Sequence, residues 1–469
     1  MSSAFGGLEI ARSALRTSQT ALNVIGHNVA NVNTPGYSRQ VTHIAPKDPY
    51  GVPLPFNQAP GQVGTGVDVM AIQAVRDQFL EAQLQRAAAE QGSLARLGSL
   101  LDRVQAAFGE PGAGATTAAM TSFFNAWHNL AKNPEQEDMR AVIRQQGRDL
   151  AAQFAGVYRA LTSIGDEITA QVRTKVDEAN GLARQIARLN LDIRQSLVLG
   201  DRPNDLIDRR QELIKQLAGL VGARAEAELD TQGKPTGFVN VLVGGNALVS
   251  GGEALALPSD FHYNGKEAFL VGGAEHVLVP GGEVAGLIEG SYRVAQYAAG
   301  VDRTAAALIE RVNAQHKAGY GLDGIGGRPF FRGTGAADIA VSLEVEASLD
   351  AIAASSPPVP PNPVARGNGD NARGIADILN ERILNGSTLT QYYTAQVTQV
   401  GADAAWVSQR SQDLQASVAQ LTTLRHSVSG VSLDEELSMM IQYQRSYQAA
   451  ARFMATLDNL LNSLMAAFG

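Results

Sequence analysis

Apolar side chains recur every seven residues at both extremes of the chain, and this repeat constrains the fold more than any other feature. Leu8, Leu15, Leu22 and Val29 form one row, with Ala4, Ala11, Ser18 and Ile25 as a companion row four residues earlier. Near the other end Leu433, Met440, Tyr447, Met454, Leu461 and Phe468 are again seven apart, and Tyr443, Ala450, Leu457 and Leu464 complete the seam. Such a heptad lays its apolar side chains along one side of an α-helix. At 1.5 Å per residue the two helices run roughly 43 Å and 55 Å. A one-sided helix of that length cannot bury its seam alone, so the two termini are expected to pair with each other or with neighbouring copies.

The first seam stops at Asn33-Thr34-Pro35-Gly36, where Pro35 disfavours helix for Thr34 and Gly36 permits a reversal. Ser432 followed by Glu435 reads as a capping box that starts the last helix. Helical patterning resumes between the ends. Residues 70–109 carry Ile72, Val75 and Phe79, then Leu94, Leu97, Leu101, Val104 and Phe108; residues 116–132 carry Met120, Phe123, Phe124 and Trp127. From about 135 to 199 the chain stays helix-like, with Gly147, Gly165 and Gly181 arguing against one uninterrupted rod, and a further helix covers about 203–220. Residues 222–285 change to short β-branched runs such as Phe238–Val243 before Gly244-Gly245, which read as strands and tight turns. Helix returns over about 284–318 and 371–428. Between them, residues 321–370 hold loops, one or two short strands and the stiff, polyproline-like stretch Ser356–Pro363.

The expected fold is therefore mainly α: long helical rods, coiled-coil helices at the two termini and a small β-rich region. Residues 1–60 with 429–469 form a terminal helical assembly domain, and 61–221 with 286–428 an elongated helical bundle. Residues 222–285 form a β-rich subdomain, and 321–370 a loop and short-strand region in place of any large outer domain.

Chemistry is hard to find in this chain of 469 residues. Its hydrophobic share of 45% suits a packed core, and its formal net charge of −8 argues against nucleic acid or an anionic membrane as partner. No apolar run is long enough to span a bilayer. There is no cysteine, which removes disulfides, thiolate metal sites and cysteine nucleophiles together. The seven histidines are scattered, so no local metal site, cofactor site or catalytic constellation is expected. Gly319–Gly324 matches G-x-G-x-x-G letter for letter, but it follows a helix pattern and leads into Gly326-Gly327-Arg328-Pro329; a turn is the better reading. Asp434, Glu435 and Glu436 sit in the first turn of the last helix, where capping and the helix dipole suffice to explain them. The start of the chain has no basic region before an apolar stretch, so a cleaved signal is not expected.

The run Asn28-Val29-Ala30-Asn31-Val32-Asn33-Thr34-Pro35-Gly36-Tyr37-Ser38-Arg39-Gln40 resembles the N-terminal signature of the bacterial flagellar rod, hook and hook-associated proteins. Within it, Asn31, Thr34, Pro35, Gly36, Tyr37, Ser38, Arg39 and Gln40 are the positions that carry the likeness. The segment from Val431-Ser432-Leu433-Asp434-Glu435-Glu436 to Ala450 is similar to the matching C-terminal signature. Asn204–Arg210, Gly319–Phe331 and Gly369–Ala372 resemble interior landmarks of the junction members of that family.

The resemblance implies a non-enzymatic structural subunit, exported by the flagellar type III apparatus without signal cleavage and lying outside the cell. Its implied partners are the hook protein, copies of itself, the second hook–filament junction protein, and a cytosolic export chaperone on the C-terminal segment. The implied assembly interface comprises Leu8, Leu15, Leu22, Ile25 and Val29 with Met440, Tyr447, Met454, Leu457, Leu461 and Leu464. A hook or flagellin-like subunit is the nearest alternative. An exported enzyme would need a catalytic insert, and a cytosolic helical binding protein would be absent from washed flagella.

Overall fold

The computed structural model describes residues 2–48, 64–109, 115–358 and 365–468, with the side chains of 2–5, 464, 467 and 468 outside that description. The chain opens with α1 (Ser2–Ala30), the antiparallel hairpin β1 (Gln40–Pro46) and β2 (Val67–Ala74), and α2 (Gln78–Phe108). Next come α3 (Thr116–Lys132), the long α4 (Glu137–Val198) and α5 (Asn204–Val221). A four-stranded antiparallel sheet follows from β3 (Arg224–Leu229), β4 (Pro235–Val243), β5 (Asn246–Ser250) and β6 (Glu253–Ala254). A three-stranded sheet contains β7 (Asp260–Tyr263), β8 (Ala268–Gly272) and β9 (Glu275–Val279). After α6 (Gly282–Ala318) come the short β10 (Phe331–Arg332) and β11 (Ala340–Val341), then α7 (Leu343–Ala347), α8 (Asp370–Asp377), α9 (Leu389–Ser429) and α10 (Leu433–Phe468). The fold is mainly α, with long helices and a few small antiparallel sheets, as the sequence leads one to expect.

Three local outcomes differ from the sequence pattern. Ile72 and Val75, read as the start of a helix, lie instead on and just after β2, because Val67–Ala71 alternates and the strand through Ala74 pairs with β1. Helix α2 starts only at Gln78, where the Asp77 carboxylate accepts the N–H groups of Phe79 and Leu80 at 2.9 and 3.2 Å. The helix read over 371–428 is two helices, parted by a turn in which Asn385 and Gly386 both take positive φ. Conversely, α4 runs unbroken through Gly147, Gly165 and Gly181, and through Gly156 as well. A Cβ at Gly147 would come within 2.8 Å of the Phe330 ring, so that glycine serves a close approach, while Gly165 faces open space. Residues 319–327 form a turn closed by the Tyr320–Gly326 bridge, with no helix behind it. Of the polyproline-like stretch, 359–363 lies outside the described residues.

The chain divides into two compact units. The first comprises Met1–Glu90, Glu178–Leu257 and Leu414–Gly469. Its core is built where Ile186 and Ile193 of α4, Ile214 and Leu217 of α5 and Val241, Val243 and Val249 of the sheet are buried. Asn190, fully buried on α4, donates to the carbonyls of Val239 and Gly251 and accepts from Arg210, so its amide satisfies backbone that the sheet leaves open.

The second unit comprises Gln91–Asp177 and Pro258–Asp413. Its core centres on Phe123, Phe124 and Trp127 of α3 against Phe330, Phe331 and His316, with ring centroids 4.8–6.3 Å apart. The His316 Nδ1–H donates to the Arg328 carbonyl at 2.7 Å, and its Nε2 accepts the Ala353 N–H at 2.9 Å. A carbonyl can only accept and an N–H can only donate, so these two partners fix the neutral tautomer. Burial, helped by the nearby Arg140 and Arg328 charges, lowers the imidazole pKa to about 4.

A depressed histidine contributes stability above its unfolded pKa and loses it as pH falls towards the folded value. The second unit should therefore lose roughly 3 kcal/mol of stability from this group between about pH 6.5 and pH 4. Melting curves across that range, compared with those of His316→Gln, check the point; the variant should lack the histidine-dependent part of the slope.

Candidate assembly site

Helix α1 packs against α10, and the two contacts that fix the pairing run it antiparallel. A Cβ at Gly7 would lie 3.0 Å from Leu457, and the Asn28 amide lies 3.1 Å from Glu436. These contacts are three heptads apart on either helix. Ala11, Ser18 and Ile25 of the N-terminal seam are buried, while Leu8, Leu15, Leu22 and Val29 are half-buried. On α10, Ala450 is buried and Met440, Met454, Leu457 and Leu461 are half-buried, whereas Tyr447 is exposed. Leu464 lies on the same helix, its side chain outside the described residues. A further buried row on α1, Ser13, Thr17, Ala21 and Val24, accompanies its packing on the β1–β2 hairpin, where Ser13 Oγ accepts the Val67 N–H at 3.2 Å.

Where α1 ends, the signature segment builds a polar hub. Asn28, buried, accepts the Gln40 N–H at 3.0 Å and donates to its carbonyl at 2.9 Å, so one side-chain amide pairs with the start of β1 as a neighbouring strand would. The Tyr37 hydroxyl donates to Asn28 Oδ1 at 2.8 Å and lies 3.0 Å from His27 Nδ1. Burial and the carboxylates of Asp205, Asp208 and Glu436 raise its pKa well above the phenol range, which keeps it a neutral donor. Ser38 donates from both its N–H and its hydroxyl to Asp208, whose other partner is Arg76 at 2.6 Å. Burial raises the Asp208 pKa, while Arg76 and the Ser38 donors oppose that. Gln40 donates to Asp205 at 2.8 Å. Gly36 turns with φ of 80°, and its carbonyl accepts from Arg425, which is also bound to Glu81. Asn31 and Thr34 hydrogen-bond within the turn itself, and Pro35 is exposed.

Arg39 joins this hub to the far end of the chain. Its backbone N–H donates to the Ser429 carbonyl, and its carbonyl accepts the Val75 N–H. Its guanidinium donates to Glu436 at 2.8 Å and to Glu435 at 2.9 Å. Glu436 is 0% exposed and is bound by both Arg39 and Asn28.

Capping therefore does not account for the acidic first turn of α10. Ser432 Oγ does accept the Glu435 N–H, at 3.5 Å, but Glu436 is a buried ion-pair partner. One sequence signal pointed there: Glu436 falls seven residues before Tyr443, in the row of Ala450 and Leu457, so it is an acid at a seam position. Asp205, Asp208, Arg76 and Arg425 carried no comparable periodic signal.

The arrangement ties both ends of the chain to α5 and to the β1–β2 hairpin. Among the described residues no group of His, Asp and Glu is placed to hold a metal, and no helix is long and apolar enough to cross a membrane.

Comparison with known proteins agrees from end to end. Residues 101–331 match the model of the flagellar hook-associated protein FlgK helical domain. Residues 8–37 match the flagella basal body rod protein model, and 426–467 the flagellar basal body rod FlgEFG protein C-terminal model. Flagellar hook-associated protein 1 of Bacillus subtilis (strain 168) is 27% identical over 513 residues, covering 100% of this chain and 99% of its own. The Salmonella typhimurium protein of the same name is 24% identical over 97% of this chain and 98% of its own. The solved structure of the flagellar hook junction protein FlgK from Burkholderia pseudomallei shares the fold, with a TM-score of 0.63 over 74% of this chain and 100% of that one, at 17% identity. With relatives of one name along its whole length and matching models at both ends and in the middle, the chain is similar throughout to the flagellar hook-associated protein 1 family.

Proposed function

We propose that this protein is a structural subunit of the bacterial flagellum that polymerises at the distal end of the hook through its terminal helices and forms the hook–filament junction. The observation that carries this reading is the outer surface of α10. Although α10 already pairs with α1, it keeps apolar side chains outward: Leu433, Leu437 and Ile441 at four-residue steps, and Phe453 and Leu460 at a seven-residue step. Ile441 is 52% exposed and Leu460 59%. Rows of this kind mark an interaction surface.

The occupants we assign to it are copies of the chain, the hook protein and the second junction protein. Residues 1–60 with 429–469 are the assembly segment in this reading, with the seam from Leu8 to Val29 and from Met440 to Leu464 as its framework. The signature from Asn31 to Gln40 holds the framework at one end. The role is mechanical rather than catalytic. Export without a cleaved signal, an extracellular position, and a cytosolic chaperone covering α10 before export belong to the same reading; the outward apolar rows supply a physical reason for such cover.

Two substitutions separate assembly from folding. Ile441→Asp lies on the outward surface and should change the melting curve by no more than about 0.5 kcal/mol. Expressed in a strain lacking its own copy, it should leave the filament unattached and filament protein shed into the medium. Normal filaments with this variant would contradict the reading. Leu15→Asp puts a carboxylate into the α1–α10 seam and should cost roughly 2 kcal/mol locally. Amide exchange in both terminal helices should then rise together, while the second unit melts as before.

A further inference from the structure

Two heptad helices that pair through Leu, Met and Ala rows can slide past each other by one heptad and still present an apolar row to an apolar row. The rows of α1 repeat over four heptads and those of α10 over five, so the seam alone leaves neighbouring registers nearly equivalent. What breaks the equivalence lies at one end. The Glu436 carboxylate, 0% exposed, occupies the row continued by Tyr443, Ala450 and Leu457, and both of its oxygens are engaged: Oε1 by Arg39 and Oε2 by Asn28. Asn28 and Arg39 are themselves fixed. The Asn28 amide is also bonded to both backbone groups of Gln40, and the Arg39 backbone is bonded to Ser429 and Val75. A slip of one heptad carries the carboxylate about 10 Å along the helix, out of reach of both partners.

Resting on the assembly reading above, we propose that Glu436, held by Asn28 and Arg39, is the positioning residue that sets the axial register of the two terminal helices, and with it which apolar side chains of α10 face outward. An ion pair of this kind adds little net stability, because desolvation offsets most of its attraction, yet removing one partner leaves a buried charge or donor unmatched. Its contribution is to make every other register unfavourable. The apolar rows hold the helices together; the polar triad says where.

The absence of cysteine makes the register directly readable. Gly7→Cys with Leu457→Cys reports the observed register, since a Gly7 Cβ would sit 3.0 Å from Leu457. Gly7→Cys with Ala450→Cys, or with Leu464→Cys, reports a slip of one heptad in either direction. In the purified full-length chain under mild oxidation, the first pair should cross-link at least about tenfold faster than either other pair. Glu436→Leu, which completes the apolar row, should bring the three rates to within about threefold of one another. Glu436→Gln, which keeps the shape and a hydrogen bond to Asn28, should retain most of the preference.

Retention of the tenfold preference by Glu436→Leu, with helix content unchanged, would overturn the proposal. Should Glu436→Leu cross-link through none of the pairs, Asn28→Leu/Glu436→Leu removes the orphaned amide as well and makes the same measurement. A preserved register in that variant overturns the proposal too. Because these rates are read on the isolated chain, they stand whether or not the variants complete a flagellum, so failure of the junction role and failure of the register account are distinct results.

Discussion

A carboxylate buried at the end of an apolar helix pair must meet its partners where it sits, and here that requirement ties the first forty residues to the last forty. Glu436 reaches Asn28 across 408 positions of sequence and Arg39 across 397. Closing so long a loop costs conformational entropy, although that cost grows only slowly with length. The intervening chain lessens it, because α5, the β1–β2 hairpin and the last turn of α9 all bond to the signature segment and fix where the ends meet. Without those supports the Asn28 amide and the Arg39 guanidinium would lack a fixed direction, and Glu436 would be a buried charge with mobile partners.

The signature segment is thus a joint more than a linker. Asn28 substitutes for a strand partner of Gln40, Ser38 spans from backbone to Asp208, Tyr37 stays neutral and donates inward, and Gly36 turns where a positive φ is needed. Each of these residues has a stated physical task, and together they leave α1 with two covered rows, one on α10 and one on the hairpin. Among the described residues helix α10 is packed along the row that faces α1, and its other apolar side chains remain outward.

The periodic parts of this design were legible in the sequence, and the singular parts were not. Seven-residue spacing revealed both terminal helices, and their lack of any self-sufficient core pointed to pairing. The long α4 was readable from its patterning, but its glycines misled: Gly147 serves the close approach of Phe330, and Gly165 is simply accommodated, at the modest cost a helical glycine carries. Ile72 was assigned to the wrong element because short alternating runs resemble helix faces when only a few positions are apolar. The hub escaped for a different reason. Asp208, Arg76 and Arg425 lie far apart in sequence and gain meaning only from mutual placement, and Glu436 was hidden by an adequate local explanation, the capped first turn of a helix.

The central claim is that the chain ends lie antiparallel in one register. Pulsed electron paramagnetic resonance tests it most directly, with spin labels on the exposed positions Arg12 and Arg452, and in a second sample on Arg12 and Asp434. Arg12 and Arg452 lie level, five residues inward from the Gly7–Leu457 contact on either helix, whereas Asp434 lies about 27 Å further along the axis. The account predicts a narrow distribution for the first pair, shorter than the second by roughly 10–20 Å. Equal distances, the reverse order, or two broad and overlapping distributions would contradict it.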